Sequence, residues 1–579
     1  MFNRWTRQVN CDVLVIGGGL GGTFAAIKAE EAGAGKVVLV SKGKLGKDSV
    51  STFAAGVMSV IMPGDDFEAE FRNYALGEWS GAGIYDPAWL KIAMEENYDR
   101  VRDMESYGVQ WARKPDGQIE RRAARGVVLK GTFMKPFMDA MANKVRSTSV
   151  EVAGHIMLTG LLTENGQTSG RVVGAVGFDT RTGDFCVFKA RAVVMAAGGC
   201  SFKPRFAGCS MSTGDGYTLP YRAGAKMGSF ELGHFHQMSA AAFDTAGMNL
   251  FVALGGHFIN ARGERFMQDY FPNLVEFADL TSVSQASAME MRAGRTPVYL
   301  DMTHFPPASV NRIRTALRSP TKALERMGIM VGDKIVSPIE YAPCFRGTYS
   351  MGGGIVTDIE CATSLPGLYA VGDSRCRPEQ EPAALAGAAV TGARAGIFAA
   401  RFAKESGDVE IDRGQLEELE GFTFAPMERQ DGIEPDHIIT ENLETIVPYE
   451  VVLIARGERL EKALKEVRRI QREEVSILYA SDLHYLRMAH EAANILLTTE
   501  MYLNSYLTRK ESRRACFRED YPYTDNINWL RNTRLKLEKG EMQIWTEELP
   551  YDSLPLKPER TKRLHPIFEV ARRKGIPWG

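Results

Sequence analysis

Apolar residues near the start of the chain form two short runs, Val13 to Ile16 and Val37 to Val40. Runs of this length are typical of buried strands, and the small residues between them predict a helix. The first run leads into a turn that carries Gly17, Gly19 and Gly22 in the spacing G-x-G-x-x-G. This order predicts a βαβ unit in which backbone N–H groups at the start of the helix bind a diphosphate. The pattern therefore favours a dinucleotide-binding domain.

The residue that ends the second predicted strand bears on which dinucleotide binds. An acidic side chain there usually contacts the adenosine ribose, but this chain has Ser41 followed by Lys42. A hydroxyl group can also pair with a ribose, so the spacing alone leaves FAD and NAD as alternatives.

Strand, glycine turn and small-residue helix recur further along the chain. An apolar strand ends in small residues at 191–199 (RAVVMAAGG), and the turn STGDG at 212–216 precedes a predicted helix. A further short strand, GLYAVGD at 367–373, leads to the small-residue helix ALAGAAVTGARAG at 384–396, which we expect to pack closely against a ligand. These repeats predict one nucleotide-binding domain assembled from separated segments.

The pattern changes in two other regions. Short strands and helices alternate at about 240–345, which suggests an inserted capping domain. From about 440, apolar residues recur at i, i+3 and i+4, as in antiparallel bundle helices. The predicted fold is α/β, with a discontinuous Rossmann-like FAD-binding domain, an inserted α+β capping domain and a C-terminal helical bundle. The predicted boundaries are 1–239 and 347–439 for the FAD-binding domain, 240–346 for the capping domain, 440–535 for the helical domain and 536–579 for an extended C-terminal tail.

Composition excludes several classes of protein. A chain of 579 residues is expected to hold two to four domains. Its formal net charge of −2 gives no reason to expect a nucleic-acid partner, and no apolar run reaches the 18 to 20 residues that span a membrane. The start MFNRWTRQVN lacks an apolar signal core, so a cytoplasmic location is expected. The eight cysteines form no C-x-x-C motif, so an iron–sulfur centre would belong to another subunit.

Together these segments resemble the flavoprotein subunits of succinate dehydrogenase and fumarate reductase, with L-aspartate oxidase and the α subunit of adenylylsulfate reductase as relatives. The resemblance covers nearly the whole chain. It rests on GGGLGG, SKGKLGKDSVSTFAAG, VVMAAGG, STGDG, GERFMQDYFP, YSMGGGIVTD, GLYAVGD and ESRRACFREDYPYTDNINW. The family usually carries serine after the second strand, which accounts for Ser41 and favours FAD.

The resemblance implies a set of cofactor-binding residues. Those expected to contact FAD are Gly17, Gly19, Leu20, Gly22, Ser41, Lys42, Ser49, Ser51, Thr52, Ala54, Ala55, Gly56, Ala197, Gly198, Gly199, Thr213, Asp215, Gly372, Asp373 and Ala388. In succinate dehydrogenases a histidine in the segment matching 49–56 bonds covalently to the flavin. Here Ser51 takes that place, and no histidine occurs in residues 1–154. We therefore expect non-covalent FAD and no metal site.

Several side chains that the family uses for succinate or fumarate are missing. The proton-shuttling arginine would fall near 280–282, where this chain has Leu-Thr-Ser, and the histidine before the Y-x-M-G-G turn is replaced by Thr348. In the family, an arginine-bearing segment follows a G-E or G-D dipeptide. Here that dipeptide is Gly372-Asp373, and SRCRPEQEPAAL follows it instead. Ordinary succinate or fumarate turnover is therefore not expected.

A different polar set remains near the expected flavin. By position in the resemblance His236 is the leading acid–base candidate, since histidine titrates near neutral pH, and Tyr349 is the second. Arg346, Arg375 and Arg377 are candidates for clamping a carboxylate, phosphate or sulfate. Each of these residues has an alternative structural or surface role, and His257 and Arg295 are more readily structural.

The sequence therefore predicts an FAD-dependent oxidoreductase. It would move a hydride, or two electrons, between flavin N5 and a small anionic substrate, with an iron–sulfur or ferredoxin-like partner as electron carrier. One alternative is a sulfur-compound reductase subunit like adenylylsulfate reductase, which short stretches at 127–142 and 294–304 resemble. Two others are a scaffold or electron-transfer subunit that keeps FAD without a substrate site, and an oxygen-using oxidase.

Overall fold

The computed structural model describes residues 6–54, 57–77, 82–123, 130–133, 137–203, 209–233, 238–242, 248–343, 352–376, 384–446 and 448–578. In chain order the strands are β1 (Thr6–Ile16), β2 (Val37–Ser41), β3 (Val57–Ser59), β4 (Arg121–Ala123), β5 (Lys130–Phe133), β6 (Glu151–Gly154), β7 (Ile156–Thr163), β8 (Val172–Asp179), β9 (Phe185–Met195), β10 (Met227–Gly228), β11 (Met238–Ala240), β12 (His257–Ile259), β13 (Val298–Asp301), β14 (Met330–Val331), β15 (Lys334–Ile335), β16 (Ile339–Pro343), β17 (Gly354–Ile355), β18 (Leu368–Ala370), β19 (Tyr523–Asp525), β20 (Arg531–Glu538), β21 (Glu541–Glu548) and β22 (Lys562–Leu564).

The α-helices follow the same order. They are α1 (Leu20–Glu31), α2 (Phe67–Leu76), α3 (Pro87–Ser106), α4 (Phe137–Arg146), α5 (Asp215–Arg222), α6 (Met248–Ala253), α7 (Met267–Tyr270), α8 (Leu280–Arg292), α9 (Pro307–Ala316), α10 (Arg318–Arg326), α11 (Ala384–Glu405), α12 (Arg413–Glu428), α13 (Pro435–Ile446), α14 (Tyr449–Val452), α15 (Gly457–Glu473), α16 (Leu483–Thr508) and α17 (Pro566–Arg573). None of these helices combines the length and apolar character needed to cross a membrane.

The largest sheet of the described chain has the strand order β6-β2-β1-β9-β8-β7, and β18 also pairs with β9. Strands β6, β2, β1, β9 and β18 pair in parallel, whereas β7, β8 and β9 pair antiparallel. In β1, Leu14 and Ile16 belong to one buried cluster, and Val13 and Val15 belong to another. Both faces of the sheet are covered, which explains why its strands are continuous apolar runs.

Helices α1 and α11 lie against each other with their backbones in close approach. A Cβ atom on Gly392 would lie 2.3 Å from the carbonyl oxygen of Gly21, and one on Gly396 would lie 2.4 Å from that of Ala25. The sequence predicted that the small residues of α11 pack closely against a ligand. The structure shows that Gly392 and Gly396 allow α11 to pack closely against α1.

The capping region contains the antiparallel sheet β11-β16-β13-β12. Its buried core includes Phe258, Met289 and Leu300, together with Ile567 and Phe568 from α17. The C-terminal helix thus completes the core of a region more than two hundred residues earlier in the sequence.

Residues 536–579 differ from the predicted extended tail. They contain β21, which pairs with β20 in the sheet β17-β10-β20-β21, as well as β22 and α17. The proposed boundary at 535 therefore falls inside a β-hairpin. The Pro-rich composition of residues 536–579 did not predict the short amphipathic helix α17, in which Ile567, Phe568, Val570 and Ala571 are buried.

The contact between α1 and α11 leads to a stability prediction. We expect Gly396→Ala to destabilise the protein by about 1–3 kcal/mol, because the added methyl group must push the two helices apart. The matched control is Gly421→Ala in α12, where a Cβ would meet no atom within 4 Å, and which should stabilise by about 0.4–1 kcal/mol. Unfolding followed by circular dichroism measures both changes, and equal effects would contradict the packing argument.

Candidate cofactor and active site

The carboxyl ends of β2, β1, β9 and β18 lie side by side. The amide of Gly17 donates to the carbonyl of Val40 at 2.8 Å, and the amide of Val371 donates to the carbonyl of Met195 at 3.0 Å. The turns after these strands therefore meet at one edge of the sheet, where open α/β sheets bind their ligands.

Further hydrogen bonds join the turn after β9 to the turn after β18 and to the segment that precedes α5. The hydroxyl of Ser374 donates to the carbonyl of Gly198 at 3.1 Å, and the amide of Gly214 donates to the carbonyl of Gly199 at 3.1 Å. Ala197 lies in the first of these turns, and Gly372 opens the second. The separated segments thus converge on one site, as the sequence predicted.

The turn between β1 and α1 is formed by close approach of the backbone. Gly17 has a φ of +119°, and a Cβ on Gly22 would lie 1.8 Å from the carbonyl oxygen of Gly17. Gly19 precedes the helix and carries no capping side chain. The amide of Leu20 donates to the hydroxyl of Ser51 at 3.2 Å. A helix that begins in this way fits the diphosphate of a dinucleotide, because its backbone N–H groups and dipole favour an anion.

A buried ion cluster lies where β2 ends, beside the place expected for the adenosine ribose. Ser41 is buried, and the ammonium of Lys42 contacts Asp215 and Glu491 at 2.8 Å each. The same ammonium donates to the hydroxyl of Thr213 at 2.7 Å. Asp215 is the first residue of α5, where the helix dipole favours a negative charge.

Helix α16 closes this cluster from the other side. Glu491 lies 2.7 Å from the ammonium of Lys203, and Asn494 donates to Asp215 at 2.8 Å. Although burial opposes it, the positive charges of Lys42, Lys203 and Arg487 lower the pKa of Glu491 to about 2. The sequence did not predict that Glu491 pairs with Lys42 and Lys203 at the cofactor site. The signal that could have found it was a glutamate within the apolar helix LHYLRMAHEAANILL.

The segment expected along the flavin ring begins with a short 3-10 helix, Val50–Phe53. The hydroxyl of Ser49 accepts from the amide of Thr52 at 3.3 Å, and Ala54 ends the helix. Ser51 is thereby directed to α1. Ala55 and Gly56 lie outside the described residues.

Two further candidate residues lie beside the turn that begins at Gly372. Asp373 is half-buried in this turn. In α11, the methyl carbon of Ala388 lies 3.3 Å from the Cβ position of Gly372. Both therefore belong to the same edge of the sheet as Gly17.

Of the candidate substrate residues, His236, Tyr349, Arg346 and Arg377 lie outside the described residues. Arg375 is described and fully buried. Its guanidinium lies 3.8 Å from the ring centre of Trp89 and donates to the hydroxyl of Thr357 at 3.0 Å. These contacts position the turn after β18, and the role of Arg375 as an anion clamp stays a prediction.

A second buried ion network holds Glu231, the last acidic residue before His236 in the sequence. Arg509 donates to Glu231 at 2.8 Å and to Glu511 at 2.7 Å, and Glu511 also accepts from Arg513 at 2.8 Å. Glu231 lies three residues before His234 in the sequence, and residues 234–237 lie outside the described residues. The network gives Glu511 and Arg513 of the stretch ESRR a structural role that the sequence did not predict.

Two residues of the capping region for which the sequence favoured a structural role, Arg295 and His257, lie within the described part of the chain. Arg295 pairs with the buried Glu290 at 3.0 Å, as expected for a structural residue. His257 lies on β12 opposite Asp301. Burial, followed by the charges of Arg265 and His304, lowers its pKa.

Residues 12–390 match the model of a protein family described as FAD binding domain. Residues 440–563 match a second model, described as Fumarate reductase flavoprotein C-term. The chain belongs to the family of succinate dehydrogenase and fumarate reductase flavoproteins. It is an FAD-dependent oxidoreductase, so the predicted family, enzyme class and cofactor are confirmed.

Known proteins resemble the chain over nearly its whole length. The CoM/CoB fumarate reductase of Methanothermobacter marburgensis has a subunit that is 29% identical, covering 91% of this chain and 97% of that protein. The FrdA protein of E. coli quinol fumarate reductase superposes with a TM-score of 0.84 at 23% identity, covering 96% and 99% of the two chains. Adenylylsulfate reductase of Archaeoglobus fulgidus superposes with a TM-score of 0.78 at 22% identity, covering 94% and 97%. These superpositions confirm the predicted fold.

The first turn leads to a prediction about FAD. Gly22→Ala should reduce FAD affinity at least tenfold, because a methyl group 1.8 Å from the Gly17 carbonyl oxygen forces the turn open. The ratio of flavin to protein after gel filtration measures the effect, with Gly421→Ala as control. Full flavin content in a folded Gly22→Ala protein would contradict it.

The buried cluster leads to a prediction about pH. The pKa of Glu491 is about 2 in the folded protein and about 4.3 in an unfolded chain. Ionised Glu491 therefore contributes stability above pH about 4.3, and the contribution is lost as the pH falls toward 2. We expect Glu491→Gln to lower Tm most at pH 7 and progressively less toward pH about 3.

Thermal unfolding of the variant and the wild type across this pH range tests the prediction. The exposed Glu417→Gln of α12 is the control and should change Tm little at any pH. A difference between Glu491→Gln and wild type that is constant with pH would rule out the ionic explanation.

Proposed function

We propose that this enzyme acts on a small anionic substrate other than succinate or fumarate, with non-covalent FAD and an iron–sulfur partner. When bound, FAD supplies transfer of a hydride, or two electrons, at N5. The chain binds the diphosphate at the start of α1 and holds the ribose side with the Lys42 cluster. The capping region covers the site and excludes water.

The proposal about the substrate rests on the residues at the start of α8. This is the place where the family resemblance implies a proton-shuttling arginine. Here the carboxylate of Asp279 accepts from the amides of Thr281 at 2.9 Å and Ser282 at 3.1 Å. A turn capped by an acid supplies neither the proton nor the positive charge that a dicarboxylate needs.

The arginines that flank this helix are already engaged with acids. Arg265 pairs with the buried Glu276 at 2.6 Å, and Arg292 pairs with the buried Glu519. Candidate clamps for an anion therefore remain Arg346, Arg375 and Arg377, with His236 as acid–base residue and Tyr349 as the second candidate.

Two features support the electron-transfer and cofactor parts of the proposal. Six of the eight cysteines are described as buried free thiols, and no two cysteines have C-x-x-C spacing, so this chain suits an iron–sulfur partner rather than a cluster of its own. The hydroxyl of Ser51, in the place of the flavin-linking histidine, accepts from the amide of Leu20.

Acid precipitation and anaerobic spectroscopy test the proposal. We expect the yellow colour to leave the precipitated protein entirely, because residues 1–154, which include the flavin segment, contain no histidine. In the folded protein, succinate should not bleach the flavin's visible absorption band, and fumarate should not reoxidise the dithionite-reduced protein. Among other small carboxylates and sulfur oxyanions, one should change the flavin spectrum.

Other outcomes separate the alternatives. Rapid reoxidation by fumarate, at the roughly 10 s⁻¹ typical of enzymes, would contradict the substrate proposal. Bleaching by sulfite alone would favour the sulfur-compound reductase. Reduction only by a reduced iron–sulfur protein would favour the scaffold subunit.

A further inference from the structure

Three potential ligand groups meet at the β12–β13 edge of the capping sheet. His257 on β12 and Asp301 on β13 are directly opposite each other in the antiparallel register, and His304 follows Asp301 by three residues. One ligand atom from each of the three lies within 4.8 Å of the other two.

The separation of His257 from Asp301 is informative. Nε2 of His257 lies 3.7 Å from Oδ2 of Asp301, which is too long for a hydrogen bond. Two ligand atoms bonded at about 2.1 Å to one tetrahedral cation lie roughly 3.4 Å apart. The pair is therefore spaced as two ligands of an ion would be.

The surrounding contacts orient the other two groups. The amide and hydroxyl of Thr303 donate to Oδ1 of Asp301 at 2.9 and 2.8 Å, while Oδ2 lies toward His257. Nε2 of His304 lies 3.0 Å from the carbonyl of Gly255. When that nitrogen donates its proton to the carbonyl, Nδ1 keeps the lone pair that a metal requires. Such outer hydrogen bonds typically orient metal ligands.

The rings of His257 and His304 are stacked, with their centres 4.7 Å apart. His304 is exposed, so water can reach an ion held between the two rings and Asp301. The neighbouring Arg265, whose charge lowers the pKa of His257, is itself paired with Glu276 at 2.6 Å.

We propose that His257, Asp301 and His304 bind one divalent transition-metal cation of the Zn²⁺ class, leaving further coordination positions to water or a ligand. Two imidazoles and one carboxylate favour such an ion over Mg²⁺ or Ca²⁺, which prefer oxygen ligands. The bound ion would link β12 to β13 and the segment after it, and so stabilise the capping region.

A second group of ligands in the described chain provides the control. His437, Glu441 and Glu474 also lie close together, but the guanidinium of Arg469 lies 2.7 Å from Glu474 and 3.5 Å from Glu441. That group already holds a positive charge, so His437→Ala should not change metal binding.

Zinc binding to the tag-free, FAD-loaded full chain tests the proposal after dialysis against a chelator. Isothermal titration with ZnCl₂ should show one site, and Zn²⁺ should raise Tm. His257→Ala and Asp301→Asn should weaken zinc binding at least tenfold relative to the wild type, because removing only an outer hydrogen-bond partner of a metal ligand already costs about tenfold or more. Both variants should also abolish the rise in Tm. His437→Ala should bind as the wild type does.

Equal zinc binding by the wild type and His257→Ala would overturn the proposal, as would loss of binding in His437→Ala or no binding by the wild type. His304→Ala provides a second variant if His257→Ala fails to fold, because its ring is exposed and its removal leaves the strand pair intact. Flavin content and circular dichroism confirm that each variant tested is folded.

Discussion

The carbonyl oxygen of Gly17 occupies the space where a side chain on Gly22 would begin, at 1.8 Å from the Cβ position. This approach lets the chain leave β1, turn sharply and start α1 within four residues. The same helix then lies against α11, where Gly392 and Gly396 permit a second close approach. The nucleotide site and the packing of the two helices therefore depend on backbone contacts that any added side chain would disturb.

Buried charges connect the remaining parts of the molecule to this unit. Glu491 of α16 is joined to Lys42 at the end of β2, and Arg509 is joined to Glu231 at 2.8 Å. Arg509 and Glu231 are both fully buried, and removing one partner from such a pair costs several kcal/mol. The helical region thus contributes directly to the geometry of the cofactor site and holds Glu231 in place.

The sequence predicted the parts of the fold that local patterns determine. The runs around Val13 and Val37 gave a βαβ unit because adjacent segments pair with one another, and the resemblance placed the distant pieces that complete it. Pairings between distant charges, such as Lys42 with Glu491, were missed because no local pattern encodes them. The helix at Pro566–Arg573 was missed for a related reason, since its apolar residues are explained only by a core formed elsewhere.

The helix Pro566–Arg573 affects the order in which parts of the protein can fold during synthesis. Phe568 stacks on Phe517 with ring centres 4.2 Å apart, and both rings fill a core whose other members come mainly from residues 238–341. About 220 residues separate Pro343 from Pro566. The β1–α1–β2 unit can form while translation continues, but the core of the capping region is complete only after the ribosome has added these late residues.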